Sequence, residues 1–434
     1  MSLVAPRAER PGTVRIIAGN MGWLLASSGL MAALSLIYLG ITSRTLGIVD
    51  FGRFALVTGA CQTIASLVAI ESWKIIVQYG LAHQARHDFD AVRRVERAAV
   101  MMDVVSALVG ALVAALLFAF ARPLIGIKGS IGPYAFGYAL IQLATVRSAP
   151  TGILRLHDRF DLAAIADAAT PIMRLLGALA ALAFMPTAKG FLIAWGLAEI
   201  ITCIAFWFMV HRIGRLRGLF SGRLEGRRVL EENPGILRLM VNTNLQGVLS
   251  LASRQLPLLV VGGYAGPAAA GGFRLAMQLA NALSKVATLL TRAAFPELVR
   301  QVRDTSADQL GRLIGRVTLG SALGAGAVMV LVILLGRNLL TLIGGPQFGP
   351  AYVLLLWLAG GACVELAAVS FEPILQALNK AGSAIIARGS AVVLQFAAMI
   401  FLLPAWGALG AAVSVMMGAV FAFVFLSLAI RRRA

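Results

Sequence analysis

The sequence predicts an all-α integral membrane protein of about 12 transmembrane helices, in two six-helix lobes related by a pseudo-two-fold axis along the membrane normal. Three observations support this fold class. The chain is 59% hydrophobic and 13% charged over 434 residues, and a mean hydropathy of +0.86 is unlike that of a soluble domain. Its basic residues concentrate in alternate loops between apolar runs. Its two halves share a weak repeat.

The predicted spans follow from apolar runs long enough to cross a bilayer and from breaks at Gly, Pro and charged residues. The first run is too long for a signal-peptide core, so we expect an uncleaved span that follows a short basic tail. The spans lie near residues 20–45, 52–80, 98–121, 133–154, 162–185, 190–211, 237–263, 268–298, 313–336, 350–378, 384–404 and 407–430.

Basic loops set the predicted topology, because cytoplasmic loops hold the excess of Lys and Arg. Most of the 38 Lys and Arg residues lie in the N-terminal tail, the C-terminal residues and alternate loops such as Arg212–Asn233. Both termini are therefore expected in the cytoplasm. In a soluble chain the net charge of +19 would indicate nucleic acid. Here topology and anionic lipid headgroups explain the charge, so membrane lipids and no nucleic acid are the expected partners.

The repeat divides the chain into three predicted parts: an N-lobe of residues 1–211, a cytoplasmic linker of 212–234 and a C-lobe of 235–434. A shift of 219 residues lays residues of the first half on identical residues of the second half. The matched pairs are Gly47 with Gly266, Gly52 with Gly271, Phe54 with Phe273, Leu56 with Leu275, Arg93 with Arg312 and Arg97 with Arg316.

One predicted helix of the second half carries a polar stripe within an otherwise apolar span. Spacings of three and four keep its members on one helical face, over a length of about 27 Å. Three cations facing lipid would each cost about 2.5 to 3.5 kcal/mol at mid-bilayer, so the stripe is expected to face water, a partner or an anion. Its members are Arg274, Gln278, Asn281, Lys285, Thr288 and Arg292.

The turn TSRTLGIVDFGRFAL (Thr42–Leu56) resembles the Arg-x-Leu-Gly-x-x-x-Phe/Tyr-Gly signature of polysaccharide flippases. Its repeat at Tyr264–Leu283 is similar to the degenerate second-half version, and Phe295-Pro296 resembles the end of span eight. Over nearly its whole length the chain thus resembles Wzx-type O-antigen and polysaccharide flippases of the multidrug/oligosaccharidyl-lipid/polysaccharide (MOP) exporter superfamily. The second half has Gly263 where the first has Arg44.

The resemblance implies alternating access, with spans 1, 2, 7 and 8 lining a central cavity in a bacterial inner membrane. It implies flipping of an undecaprenyl-diphosphate-linked oligosaccharide, whose diphosphate Arg and Lys would hold. A polysaccharide polymerase and a chain-length regulator are candidate partners. Cations on those spans outnumber the single acid Glu71, whereas most intramembrane acids lie on other spans. The candidate substrate-binding residues are Arg44, Arg53, Lys74, Arg254, Arg274, Gln278, Asn281, Lys285 and Arg292.

Four intramembrane acids are candidates for coupling transport to an ion. Glu71 also lies three residues before Lys74, a spacing that allows a local ion pair. Asp167 is expected to pair with Arg174 or to neutralise Arg147. Glu199 and Glu365 have no evident partner near them in the sequence.

Other functions remain as alternatives. A lipid II flippase fits the same superfamily, and a MATE-type cation exporter does too, although it would favour acids in the cavity. An integral-membrane glycosyltransferase or ligase needs a catalytic cluster, and no external loop is long enough for one. We therefore expect no enzymatic activity and no cofactor. Phosphate-loop and dinucleotide-binding signatures are absent as well, so direct drive by ATP is not expected. Cys61, Cys203 and Cys363 lie in apolar runs without metal-ligand spacing.

Overall fold

A computed structural model of the chain describes residues 11–120, 131–220, 225–300, 307–368, 371–372, 375 and 381–431. Within these ranges it describes side chains from 29 to 285 and from 320 to 430, apart from residues 217, 220 and 381. The described elements are all helices. The predicted all-α class is therefore confirmed.

The described residues of the first half and the linker form nine helices. They are α1 (Pro11–Val68), α2 (Ser72–Ala85), α3 (Phe89–Phe120), α4 (Gly132–Ala144), α5 (Ser148–Leu156), α6 (Phe160–Phe184), α7 (Ala188–Arg212), α8 (Leu216–Phe220) and α9 (Gly226–Glu232). The second half contains the others. They are α10 (Ile236–Arg254), α11 (Leu256–Arg300), α12 (Ala307–Gly344), a 3₁₀ helix (Pro346–Ala351), α13 (Tyr352–Ala367), α14 (Ala381–Trp406) and α15 (Ala408–Arg431).

Nine helical segments of the described residues are long and apolar enough to cross a membrane. Two of them, Gly29–Ala85 and Ile236–Lys285, have 57 and 50 residues. This is more than twice the length that one crossing needs, and each segment covers two predicted spans. The predicted span near 133–154 is instead divided between α4 and α5. The count of twelve crossings stays a prediction, as does the division into lobes and linker.

The two long helices break at equivalent glycines. Gly47 in α1 has φ 69° and ψ 173°, and Gly266 in α11 has φ 84° and ψ 175°. Glycine adopts this left-handed φ without the steric cost that a Cβ would add. The two positions are the pair that the 219-residue shift lays together, so the repeat extends to the backbone conformation.

The two halves meet closely just beyond these breaks. A Cβ on Gly52 would lie 1.7 Å from the carbonyl oxygen of Pro267, and a Cβ on Gly271 would lie 2.3 Å from that of Ile48. Neither position has room for a side chain, so α1 and α11 pack backbone to backbone at this end of the molecule. The buried rings of Phe51 and Phe348 continue the contact, with their centroids 5.8 Å apart.

The second and fourth predicted spans are both interrupted inside the membrane region. Helix α1 ends at Val68 and α2 begins at Ser72, while α4 ends at Ala144 and α5 begins at Ser148. Side chains satisfy the freed backbone groups, as an apolar environment requires. Ser106 Oγ donates to the carbonyl of Val68, Ser148 Oγ accepts from the N–H of Trp73, and Asp103 Oδ2 accepts from the N–H of Ala149. Asp103 therefore has a structural role.

Helix α9 of the linker is attached to the first half. Arg94 on α3 makes two hydrogen bonds with the Glu232 carboxylate, at 2.9 and 2.8 Å. The buried His83 side chain lies 2.9 Å from Asn233 Oδ1. The chain then enters α10 through Gly235, whose φ is 93°. The end of the linker is thus fixed to α2 and α3 through Glu232 and Asn233.

Candidate functional site

A cavity of about 620 Å³ lies between α1, α2, α10 and α11. Its lining residues lie on predicted spans 2, 7 and 8, three of the four spans that were expected to line the central cavity, and on span 10 through Glu372; none of the described residues of span 1 lines it. The cavity lies toward the Lys- and Arg-rich loops, because the other end is closed by the glycine contact of α1 with α11. Its polar lining consists of Gln62, Ser66, Glu71, Lys74, Asn244, Gln246, Ser250, Arg254, Gln255, Arg274, Gln278, Asn281 and Glu372.

Helical periodicity brings the lining residues to the cavity. Side chains four apart lie on one helical face, as with Gln246, Ser250 and Arg254 on α10. The predicted stripe on α11 contributes its first three members in the same way. Lys285 lies one turn beyond Asn281 and is exposed. The side chain of Arg292 lies outside the described residues.

The lining contains more carboxylates than the sequence indicated. Lys74 pairs with Glu71, which is the local ion pair that their spacing in the sequence allowed. Arg254 Nη2 lies 2.9 Å from Glu365 Oε2. Arg388 on α14 pairs with the same carboxylate at 3.6 Å. It also pairs with Glu372.

One sequence expectation about these residues was therefore wrong, because Glu372 lines the cavity and the acids of the tenth predicted span do not all lie away from it. Glu365 had no evident partner near it in the sequence, and its partners come from α10 and α14. The reason is that α13, α14 and α10 turn their charged side chains toward one another. In an apolar environment, pairing offsets the cost of burying each charge.

Arg274 differs from the other cavity cations. Its side chain is partly buried, and Nη1 lies 3.4 Å from Gln255 Oε1. Within the described part of the chain no carboxylate lies within ion-pair distance of it. It therefore presents an uncompensated positive charge to the cavity, where an incoming anion would find unused N–H donors.

Arg44 and Arg53 lie outside the cavity, at the closed end. Arg44 Nη2 donates to the carbonyl of Leu342 at 2.5 Å, and its Nε donates to that of Ile343 at 3.3 Å. These carbonyls belong to the last turn of α12, where cations are favourable. Arg53 is exposed and pairs with Asp50 at 2.8 Å. The structure thus brings neither residue to the other predicted substrate-binding residues, and Arg44 joins the two halves.

The acids Glu199 and Asp167 also lie away from this cavity. Glu199 is only 2% exposed and bridges Arg147 at 2.8 Å and Arg174 at 2.6 Å. No basic residue near Glu199 in the sequence indicated these ion pairs, because its partners come from the turn before α5 and from α6. Asp167 is exposed on α6, and the expected pairing with Arg174 is not formed. Arg174 pairs with Glu199 instead.

Gln62 and Ser66 line the cavity and escaped sequence analysis, although they are four residues apart on α1. This spacing places two polar groups on one helical face. The rotation of each helix decides which neighbour that face meets, and no local pattern encodes this rotation.

The chemistry available in the cavity is anion and hydroxyl binding. Amide, hydroxyl and guanidinium groups line it, and an Arg fork suits phosphate oxygens. No group of three or more His, Cys, Asp or Glu residues with the geometry of a metal site occurs among the described residues.

Comparison with known proteins identifies the family. The profile of the family described as "Polysaccharide biosynthesis protein" matches residues 17–302. The inner membrane protein YghQ of Escherichia coli strain K12 is 28% identical over 349 residues, which cover 79% of this chain and 97% of YghQ.

Solved structures show the same fold. The lipid II flippase MurJ, in an inward closed conformation, superposes with a TM-score of 0.72 at 11% identity, covering 94% of this chain and 87% of MurJ. A MATE multidrug transporter of the MOP superfamily, in an inward-facing conformation, gives 0.67 at 16% identity, covering 92% and 94%. The resemblance that the sequence indicated is confirmed. The chain therefore belongs to the polysaccharide biosynthesis protein family and is a multi-pass inner-membrane protein with the fold of MOP flippases and exporters.

Proposed function

We propose that this protein flips an undecaprenyl-diphosphate-linked oligosaccharide from the cytoplasmic to the periplasmic leaflet by alternating access, with the diphosphate held in the cavity of α1, α2, α10 and α11. The family and the fold provide the setting of a membrane flippase or transporter. The observation that carries the substrate assignment is Arg274. Its unpaired guanidinium faces the cavity beside Gln278 and Asn281, which supply donors and acceptors for sugar or phosphate oxygens.

The other cavity cations support an anionic substrate without excess repulsion. Lys74 pairs with Glu71 and Arg254 with Glu365, so a carboxylate offsets the charge of each cation. A diphosphate would compete for both cations, because phosphate oxygens accept the same charge-assisted hydrogen bonds. Ion pairing thus lowers the cost of holding several cations in the membrane.

Lipid II flipping is the nearest rival, since lipid II presents the same diphosphate. Export of organic cations is disfavoured, because Arg274 would repel them. Catalysis is a weaker proposal still, since the cavity presents amides and paired charges rather than a nucleophile held by a base. A polymerase and a chain-length regulator of the same polysaccharide remain expected partners.

The test is a flipping assay in proteoliposomes with three substrates: an undecaprenyl-diphosphate oligosaccharide, lipid II and the organic cation ethidium. We expect the purified protein to move the first and not the third. Movement of ethidium against its gradient, with neither diphosphate lipid moved, would overturn the proposal. Preference for lipid II over the oligosaccharide would support binding of a diphosphate lipid but would make lipid II the substrate.

The predicted orientation can be tested separately. A single cysteine in the linker at Arg215 should react from the cytoplasmic side of the membrane, and one at Gln347 should react from the outside. Labelling of both from the same side would contradict the placement of both termini in the cytoplasm.

A further inference from the structure

A second pocket, of about 170 Å³, adjoins the cavity on the side of the first half. It shares Gln62, Arg274 and Gln278 with the cavity, so a ligand held at Arg274 reaches both spaces. The pocket extends from there between α1, α4, α6 and α7. It therefore lies beside the proposed diphosphate site and is separate from the paired charges of α10, α13 and α14.

The pocket has aromatic walls. The Trp195 ring packs edge-on against Tyr38, with centroids 5.3 Å apart and planes at 84°. It packs in the same way against Phe54, at 5.2 Å and 83°. Arg174 Cζ lies over the Tyr38 and Trp195 rings, 6.0 and 5.7 Å from their centroids, so aromatic and guanidinium groups together form this wall of the pocket. Tyr138 from α4 adds a further ring to the lining.

Two polar atoms of the lining are unused. Gln142 Oε1 and Arg174 Nε are buried and have no hydrogen-bond partner among the described residues. Each such group costs free energy unless something bonds to it. One offers an acceptor and the other a donor, so together they match a ligand hydroxyl or amide. A purely apolar ligand would leave both unsatisfied.

The charge of the pocket favours a neutral ligand over a second phosphate. Arg174 Nη2 lies 2.6 Å from Glu199 Oε1, a carboxylate that it shares with Arg147, so its charge is partly neutralised while Nε stays available. Among the described cations of the lining, Arg274, at the junction with the cavity, is the one without a carboxylate partner. An anion is thus expected at the junction and an uncharged, hydroxyl-rich group beyond it.

We propose that this pocket binds the sugar ring attached directly to the diphosphate. A pyranose has apolar C–H faces that pack on aromatic rings, and an equatorial rim of hydroxyls that bond to amides and guanidinium groups. Aromatic walls with a few convergent polar groups are the usual composition of a small-molecule site. The inference rests on the proposed function, because it assumes that the diphosphate binds at Arg274.

The experiment compares two probes on purified protein in nanodiscs: undecaprenyl diphosphate, and the same lipid carrying one N-acetylglucosamine. We expect the wild type to bind the sugar-carrying lipid about tenfold more tightly. Gln142→Met should remove most of this preference and leave the Kd of the bare lipid unchanged. Since the Gln142 oxygen has no partner to lose, this variant should fold normally.

Trp195→Phe tests the aromatic wall, and Trp207→Phe, on the same helix outside the pocket, is its matched control. The first should reduce the preference for the sugar-carrying lipid and the second should not. Equal affinity of the wild type for both lipids would overturn the sugar site alone. Equal weakening of both lipids by Gln142→Met and Trp195→Phe would do the same. If the wild type binds neither diphosphate lipid better than undecaprenyl alcohol, the proposed function fails as well.

Discussion

Replacing Arg274 with Gln tests the proposed site most directly, because no described carboxylate pairs with this cation and none would lose its partner. In the structure its only described hydrogen-bond partner is Gln255 Oε1, at 3.4 Å. The substitution therefore leaves no carboxylate unpaired and removes a positive charge from a partly buried position. We expect Arg274→Gln to insert and accumulate like the wild type.

The cost should appear in substrate affinity. A hydrogen bond to a charged group contributes about 1.5 to 3 kcal/mol, and loss of one Arg–phosphate interaction should weaken binding about tenfold to hundredfold. Turnover at limiting substrate should fall by the same factor if the interaction forms equally in the bound and occluded states.

Glu199→Gln is the contrasting variant, which should lower stability rather than substrate affinity. Glu199 is 2% exposed and joins Arg147 and Arg174, so its removal leaves two partly buried guanidinium groups without a carboxylate. Breaking a buried ion pair in this way costs about 3 to 5 kcal/mol. We expect membrane abundance to drop, with turnover per folded molecule affected less than abundance.

The assay measures membrane abundance and flipping of the lipid-linked oligosaccharide for both variants in proteoliposomes of equal protein content. Normal flipping by Arg274→Gln would refute the role of this residue. A flipping defect that disappears after normalising to folded protein would refute it equally.

Three further predictions concern drive, packing and the linker. Flipping should accelerate under an outside-positive potential, since each diphosphate charge that crosses the field gains about 2.3 kcal/mol per 100 mV; indifference to potential with strict ATP dependence would contradict this. Gly271→Val should force α1 and α11 apart and speed maleimide labelling of a cysteine introduced by Ser43→Cys, which replaces a buried residue. Gly263→Val is the control, because open space surrounds Gly263 and labelling should stay slow. Equal labelling rates in the two variants would show that Gly271→Val does not separate the helices. Although burial acts to raise it, hydrogen bonds from Arg94 and Arg228 lower the pKa of Glu232. Its contact with α3 should therefore persist above the unfolded pKa of about 4.3 and weaken as the pH falls through the lower folded value. Glu232→Gln, but not the more exposed Glu231→Gln, should speed linker proteolysis at neutral pH, and equal rates would refute this.

The sequence was informative where a polar residue interrupts an apolar helix. Helical spacing predicted that Arg274, Gln278 and Asn281 share a face that avoids lipid, and the family resemblance implied that this face and Arg254 line the cavity. The structure brings all four residues together around one space. The physical reason is strong, because charged groups in a membrane span must find water or partners. Periodicity indicates which face of a helix is polar. Within a membrane such a face must contact water, a ligand or another helix rather than lipid.

Partners far apart in the sequence were not predictable in this way. Arg44 contacts carbonyls nearly 300 residues away at the end of α12, and Glu199 bridges two arginines on other elements. Helix rotation and the inter-half contact decide both arrangements. A signature motif identified Arg44 as important, but its spacing contains no information about whether it meets a ligand or a helix end.

The contact between Gly52 and Gly271 locates the symmetry of the molecule. The two residues are equivalent under the 219-residue repeat, and a Cβ on Gly271 would lie 3.2 Å from the Gly52 nitrogen. Two equivalent positions that touch each other must lie beside the axis that relates the halves, as do the self-contacting residues of a two-fold homodimer. In a homodimeric ancestor of such a chain, one codon would have specified both glycines. After duplication and fusion of such a gene, the two positions would mutate independently. The steric contact between them would still require a glycine at both.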